Sequence, residues 1–166
     1  MFKKIQHKLS KEAFFHSFLP SLVNQIFHFT YANKWISIEK CGQLETNIEG
    51  KFGYGSVHSH NSMGNYLGAI CLFDLRGIED HKLSEKTIFW DYFDRRVKNS
   101  PHYFLVLDSN YYSSVVTLDD VSENLKEEKM YIPDIESWYI GNLGLHKIST
   151  VHEVWIQGCD TSLSLL

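Results

Sequence analysis

The chain reads as a series of short alternating or apolar runs, interrupted by a few segments with helical spacing. Gln25-Ile26-Phe27-His28-Phe29-Thr30 alternates and is rich in β-favouring side chains, which predicts a strand. Upstream, Ser10 is placed to cap a helix through Ala13, Phe14, Phe15 and Phe18, with Pro20 ending or restarting it. Downstream, Trp35 and Ile38 stand three apart within Asn33 to Cys41, and Gly42 follows as a C-cap. That spacing predicts a short helix.

Thr46 to Asn65 is the main irregular segment, punctuated by Gly50, Gly53, Gly55 and Gly64. Structureless segments of that length are usually functional or mobile. The apolar run Gly68 to Leu75 predicts a buried strand, with Cys71 as part of the core. Ser84 opens a helical stretch through Ile88, Phe89, Tyr92, Phe93 and Val97, closed before Pro101. His102 to Leu107 reads as a strand, Tyr111 to Leu118 as strand-like, and Asp119 to Glu128 as a polar helix or turn. The C-terminal third reads as extended pieces. Tyr131-Ile132 precedes Pro133, Glu136 to Ile140 is strand-like, Leu145 to Ile148 is a turn, and Val151 to Gln157 is a last strand. Strands in runs, with helices mainly toward the N-terminal half, predict an α+β fold. With 166 residues and no linker, one domain over residues 1–166 is expected.

Composition narrows the class further. Aromatic residues make up 14% of the chain, which argues against disorder. The formal net charge is −4, so a general nucleic-acid binder is disfavoured. Arg95, Arg96 and Lys98 form the densest basic run and read as a solvated helix face. Cys41, Cys71 and Cys159 are odd in number and form no CxxC pair. A disulfide framework or zinc ribbon is therefore not expected, and reduced thiols in a cytoplasmic protein are. No apolar run approaches the ~18–20 residues of a membrane span, and Met1 to Glu12 does not read as a signal peptide.

Three constellations can carry chemistry. His28 and Thr30 share one strand face, where an imidazole can donate to a ligand hydroxyl or carbonyl. A half-buried histidine satisfied by backbone is the alternative. Glu136 shares a face with Trp138, so it is either a carboxylate at an aromatic-walled cleft or an exposed edge-strand acid. His58 and His60 are spaced as a possible metal pair, but no further ligand at fitting spacing completes a site. There is no phosphate loop, no GxSxG and no cysteine-nucleophile signature.

Taken in order, these pieces resemble the ADP-ribosyltransferase fold family, nearest its bacterial toxin-like, DarT-like branch. The resemblance lies in Phe27-His28-Phe29-Thr30 with Trp35, Ile38, Gly42 and Leu44, in Leu67 to Arg76, and in Ile135-Glu136 to Tyr139 with Leu145, Ile148 and Val151 to Ile156. It implies split central antiparallel or mixed sheets and NAD as substrate. It implies that Glu136 is the catalytic carboxylate and that His28 and Thr30 hold the adenosine-side ribose and amide region of NAD. Ser62, Tyr54 or Tyr66 are implied as lining the nicotinamide pocket. The acceptor it implies is macromolecular and unnamed, and no metal is needed. The chain departs from the family in lacking a serine triplet and a Glu-x-Glu, with Asp134 two residues before Glu136. That departure speaks against arginine-specific transfer, and the acidic balance speaks against DNA. The competing expectations are a non-catalytic α+β partner-binding module and a His58/His60 metal-dependent hydrolase.

Overall fold

A computed structural model describes residues 1–52, 59–78, 83, 87–94 and 100–157. The fold is α+β. Its frame is one seven-stranded sheet with mixed pairing, in the order β1-β9-β5-β2-β4-β7-β6, beside a two-stranded β3-β8 ladder. The strands are β1 (Lys3–Ser10), β2 (Ile26–Tyr31), β3 (Gln43–Leu44), β4 (Ala69–Asp74), β5 (His102–Leu107), β6 (Val115–Val116), β7 (Glu136–Ile140), β8 (Leu143–Gly144) and β9 (Ile148–Gln157). The helices whose bounds lie among the described residues are α1 (Lys11–Ala13), α2 (Ala32–Cys41), α3 (Met63–Tyr66), α4 (Thr87–Asp94) and α5 (Glu123–Glu128). Among the described residues, no helix is long and apolar enough to cross a membrane.

The sequence pattern explains most of these elements. Ser10 accepts the Ala13 N–H at 3.1 Å and starts α1, which passes through a π turn at Phe14–Phe18 and a 3-10 turn beginning at Pro20. Gly42 takes φ +76° and closes α2 by donating its N–H to the Ile38 carbonyl at 2.8 Å. Alternation then sorts the sheet into two faces. Phe27, Phe29, Phe73 and Phe104 pack with Phe14, Phe18, Phe89 and Phe93 on one face. Ile26, Leu72, Leu105 and Val151 pack with Trp35 on the other. Each such side chain stabilises the fold by roughly 1.5–3 kcal/mol when fully buried.

One strand has no counterpart in the sequence reading, and one segment differs from expectation. Lys3–Ser10 is a strand, paired in parallel with β9 from Lys3↔Thr150 to Ser10↔Gln157. Its alternation is carried by half-buried Ile5, His7 and Leu9 between exposed polar residues, a faint signal beneath the charges of Lys3, Lys4 and Lys8. Tyr111 to Leu118 is mostly not a strand. Asp108 caps a 3-10 turn over Ser109–Ser114 by accepting the Asn110 N–H at 2.9 Å, which leaves only Val115–Val116 to pair with β7.

One irregularity of the sheet positions the site. β2 pairs with β4 only at Ile26↔Asp74 and Phe27↔Phe73, while it stays paired with β5 through Tyr31. Beyond Phe27 the two central strands part, and a cavity opens between them.

Candidate functional site

The cavity where β2 and β4 part has a volume of about 340 Å³, within the range of ligand sites. His28, Cys71 and Glu136 form its polar sheet wall, and Ser62 and Asn65 close it from the α3 side. Ile132, Phe73 and Tyr92 supply apolar wall.

His28 sits at the point of separation. Its Nδ1 lies 2.9 Å from the Cys71 carbonyl oxygen, bridging the strands where the ladder stops. A carbonyl only accepts, so Nδ1 carries the hydrogen. Burial lowers the imidazole's affinity for a second proton, against a smaller opposing effect of the Cys71 bond. The neutral ring therefore offers Nε2 as an acceptor. This reverses the donor role the sequence suggested.

Glu136 begins β7, beside Phe73 of β4. Its Oε2 accepts the Ile132 N–H at 2.7 Å and its Oε1 accepts the Trp138 indole N–H at 3.1 Å. Burial pushes its carboxyl above the usual range, while bonds from Ile132, Cys71 and Trp138 pull the other way. The exposed edge-acid alternative fails, because Glu136 is half-buried and both carboxylate oxygens accept N–H groups of the chain.

The α3 wall is built from local capping. Ser62 accepts the Asn65 N–H at 3.2 Å, and Asn65 donates its Nδ2–H to the His60 carbonyl at 3.0 Å. The Met63 N–H donates to the Met130 carbonyl at 2.9 Å, and the Met130 N–H to the Asn61 carbonyl at 3.0 Å, so α5's exit pins this turn.

The cavity thus gathers His28, Ser62 and Glu136 from three distant segments. It does not gather Thr30 or Tyr66. Thr30 lies buried in the β2–β5 ladder opposite Tyr103, two residues beyond His28, and is not among the residues that line the cavity. Tyr66 ends α3 at 57% exposure, with the Lys129 ammonium 5.1 Å from its ring centre. Tyr54 and His58 lie outside the described residues, as do Arg95, Arg96, Lys98 and Cys159. Among the described residues, no group of three or more His, Cys, Asp or Glu side chains is arranged to hold a metal ion.

Sequence reasoning missed Cys71 and Asn65. Cys71 was expected in the core, yet it is exposed to the cavity. An unbroken apolar run marks a strand covered on both faces but does not say which residue meets a gap between strands. Asn65 carried only a weak signal, as the third residue after a capping serine. Although it opens to the cavity, the Cys71 thiol is desolvated by the surrounding walls, and this, then the charge of Glu136, holds it well above its ordinary value, so it is neutral and not a thiolate nucleophile.

Comparison of the chain with protein-family models, with curated proteins and with solved structures gave no match.

Proposed function

We propose that this protein binds NAD with its nicotinamide–ribose end in the cavity between β2 and β4, and transfers ADP-ribose to an acceptor, with Glu136 as the catalytic carboxylate. One observation carries this reading: His28, the Ser62–Asn65 turn and Glu136 wall the same cavity. Breaking the glycosidic bond sends its electron pair to the nicotinamide ring nitrogen and leaves positive charge on the ribose. A lone pair of the acceptor then forms the new bond at that carbon, and the acceptor's proton leaves to a base. A carboxylate fixed beside the ribose by two N–H bonds stabilises the developing charge without reorganising. Neutral His28 accepts a ribose hydroxyl at Nε2. Phe73 and Tyr92 supply apolar surface against the nicotinamide and help exclude water. The rest of the dinucleotide extends from the cavity mouth. Free Cys41 and Cys71 suit the cytoplasm, which also supplies NAD.

The test is incubation of the purified protein with adenylate-labelled NAD, following nicotinamide release and label transfer. Release by the wild type and not by Glu136→Gln supports the proposal. Absence of both release and an NAD-dependent thermal shift would overturn it.

One observation favours a second reading, a partner-binding module without catalysis. Both Glu136 oxygens already accept N–H groups of the chain itself, as a purely structural carboxylate would. On that reading Glu136→Gln lowers the melting temperature and changes nothing else measurable with NAD.

A further inference from the structure

Cys71 stands at the junction of three elements of the cavity. It faces Trp138 across the β4–β7 ladder, two pairs from the Phe73↔Glu136 pair, so Cys71 and Glu136 are diagonal neighbours on one sheet face. On its other side α3 comes unusually close. A Cβ built on Gly64 would lie 2.3 Å from the Cys71 sulfur and 3.4 Å from Cδ1 of Trp138. No side chain fits there, so glycine is what lets α3 rest on the sulfur. Gly64 of α3 and the Glu136 carboxylate thus flank that sulfur, and Cys71 and Glu136 line the same cavity.

We propose that Cys71 is a positioning residue for Glu136: its S–H holds the carboxylate from the cavity side, and the Gly64 N–H behind it joins α3 to that carboxylate through one sulfur atom. With the Ile132 and Trp138 N–H groups, three donors then converge on Glu136. A carboxylate has about four lone-pair sites, so one is left for a ligand. The turn that carries Ser62 and Asn65 is thereby tied to the Glu136 orientation, and the two walls of the cavity move together. The catalytic consequence rests on the NAD reading; the positioning itself does not.

Other charged and titratable groups also face Glu136. His28 shares its cavity, and the bidentate Asp74–Arg76 pair, Asp119 and Asp134 share a second cavity that Glu136 borders. The experiment must therefore change the Cys71 donor alone. The Glu136 carboxyl is followed by carbon-13 NMR titration in the free protein, with no NAD, in wild type, Cys71→Ser, Cys71→Ala and Cys71→Val. Losing a donor to the charged form raises the carboxyl midpoint, here by roughly half a unit or more in the Ala and Val variants. Cys71→Ser keeps a donor and stays near wild type. Val fills the space that Ala leaves, so a packing effect would separate Ala from Val, and a donor effect groups them. If Ala fails to fold, the Ser–Val pair decides. Equal midpoints in wild type, Ser and Val would overturn the proposal. Nicotinamide release against pH is then measured in the same variants. If the carboxyl midpoints shift as expected while no variant or wild type releases nicotinamide, the positioning stands and the NAD reading falls. If wild type turns over and the midpoints do not move, the positioning falls and the NAD reading stands.

Discussion

The Trp138 indole donates its N–H to Glu136 Oε1 across 3.1 Å, from two residues further along the same face of β7. Trp138 is fully buried, so its indole needs a partner, and Glu136 is the one it has. The residue best placed for chemistry is therefore also part of the packing. Structural and chemical roles at this position separate only by measurements that load them differently.

The pH dependence of stability does so. The Glu136 carboxyl is raised in the folded state, chiefly by burial. A raised group stabilises the fold fully below its unfolded value and loses that contribution as pH rises through the folded value. Glutamine cannot ionise. The stability of Glu136→Gln relative to wild type should therefore rise from about pH 4 to pH 7. Urea unfolding across that window checks this, and a constant difference would mean that Glu136 ionises as freely folded as unfolded.

A second prediction separates the cavity wall from the residues that share only its sequence neighbourhood. Glu136→Gln should lower nicotinamide release about 100-fold or more, as loss of a charge-stabilising group does. His28→Ala should also lower it and weaken an NAD-dependent thermal shift. Thr30→Val and Tyr66→Ala should leave release within about threefold, because neither side chain lines the cavity. Strong loss in Thr30→Val would place the NAD ribose along β2 and not in the cavity between the strands.

How far the sequence reached follows from which signals are local. β5 and β7 have the predicted bounds, because alternation or an unbroken apolar run needs no partner to be read. α2 and its Gly42 cap were legible for the same reason. β1 was not, because a parallel edge strand rich in lysine looks like solvated chain until β9 lies beside it. At the site, parity placed Glu136 with Trp138, and the bond between them follows. Parity equally placed Thr30 with His28, and there it misled. Both residues do share a strand face, but the cavity between β2 and β4 is lined by His28 and not by Thr30. Where two strands part depends on what each pairs with, and no local pattern encodes that.

Gly42 gives a prediction on stability alone. Its φ of +76° is in the left-handed region, and nothing lies within 4 Å of a Cβ placed there. Gly42→Ala therefore costs only backbone strain, about 1 kcal/mol. Chemical denaturation should show that loss with an unchanged m-value and unchanged NAD response. A loss several times larger would mean that the β3–β8 ladder following the cap, which starts at Gln43↔Gly144, depends on it as well.

The last prediction concerns the β1–β9 edge, far from the cavity. His7 Nε2 and His152 Nδ1 lie 2.9 Å apart, so one nitrogen donates and the other accepts. A second proton would set two charges in contact. His152 is held down at about 4, first by burial and then by His7 and Lys3, and burial lowers His7 as well. A lowered histidine contributes stability above its ordinary value and loses it as pH falls through the folded value. For this pair the window runs from roughly pH 6.5 down to the His152 value of about 4. Phe18 packs on both rings, at 5.0 Å from His7 and 5.5 Å from His152, so an aromatic replacement suits the space. His152→Phe should flatten the loss of stability between pH 6.5 and about 4.5 relative to wild type. The comparison is made as a difference because buried His28 acts in the same direction in both proteins. Backbone amide exchange should locate the effect. In wild type the β1 amides should lose protection first on acidification, because among the described residues β1 pairs only with β9. Equal acid slopes in the two proteins, with β1 no more labile than β5, would show that the histidine pair carries no part of the acid response.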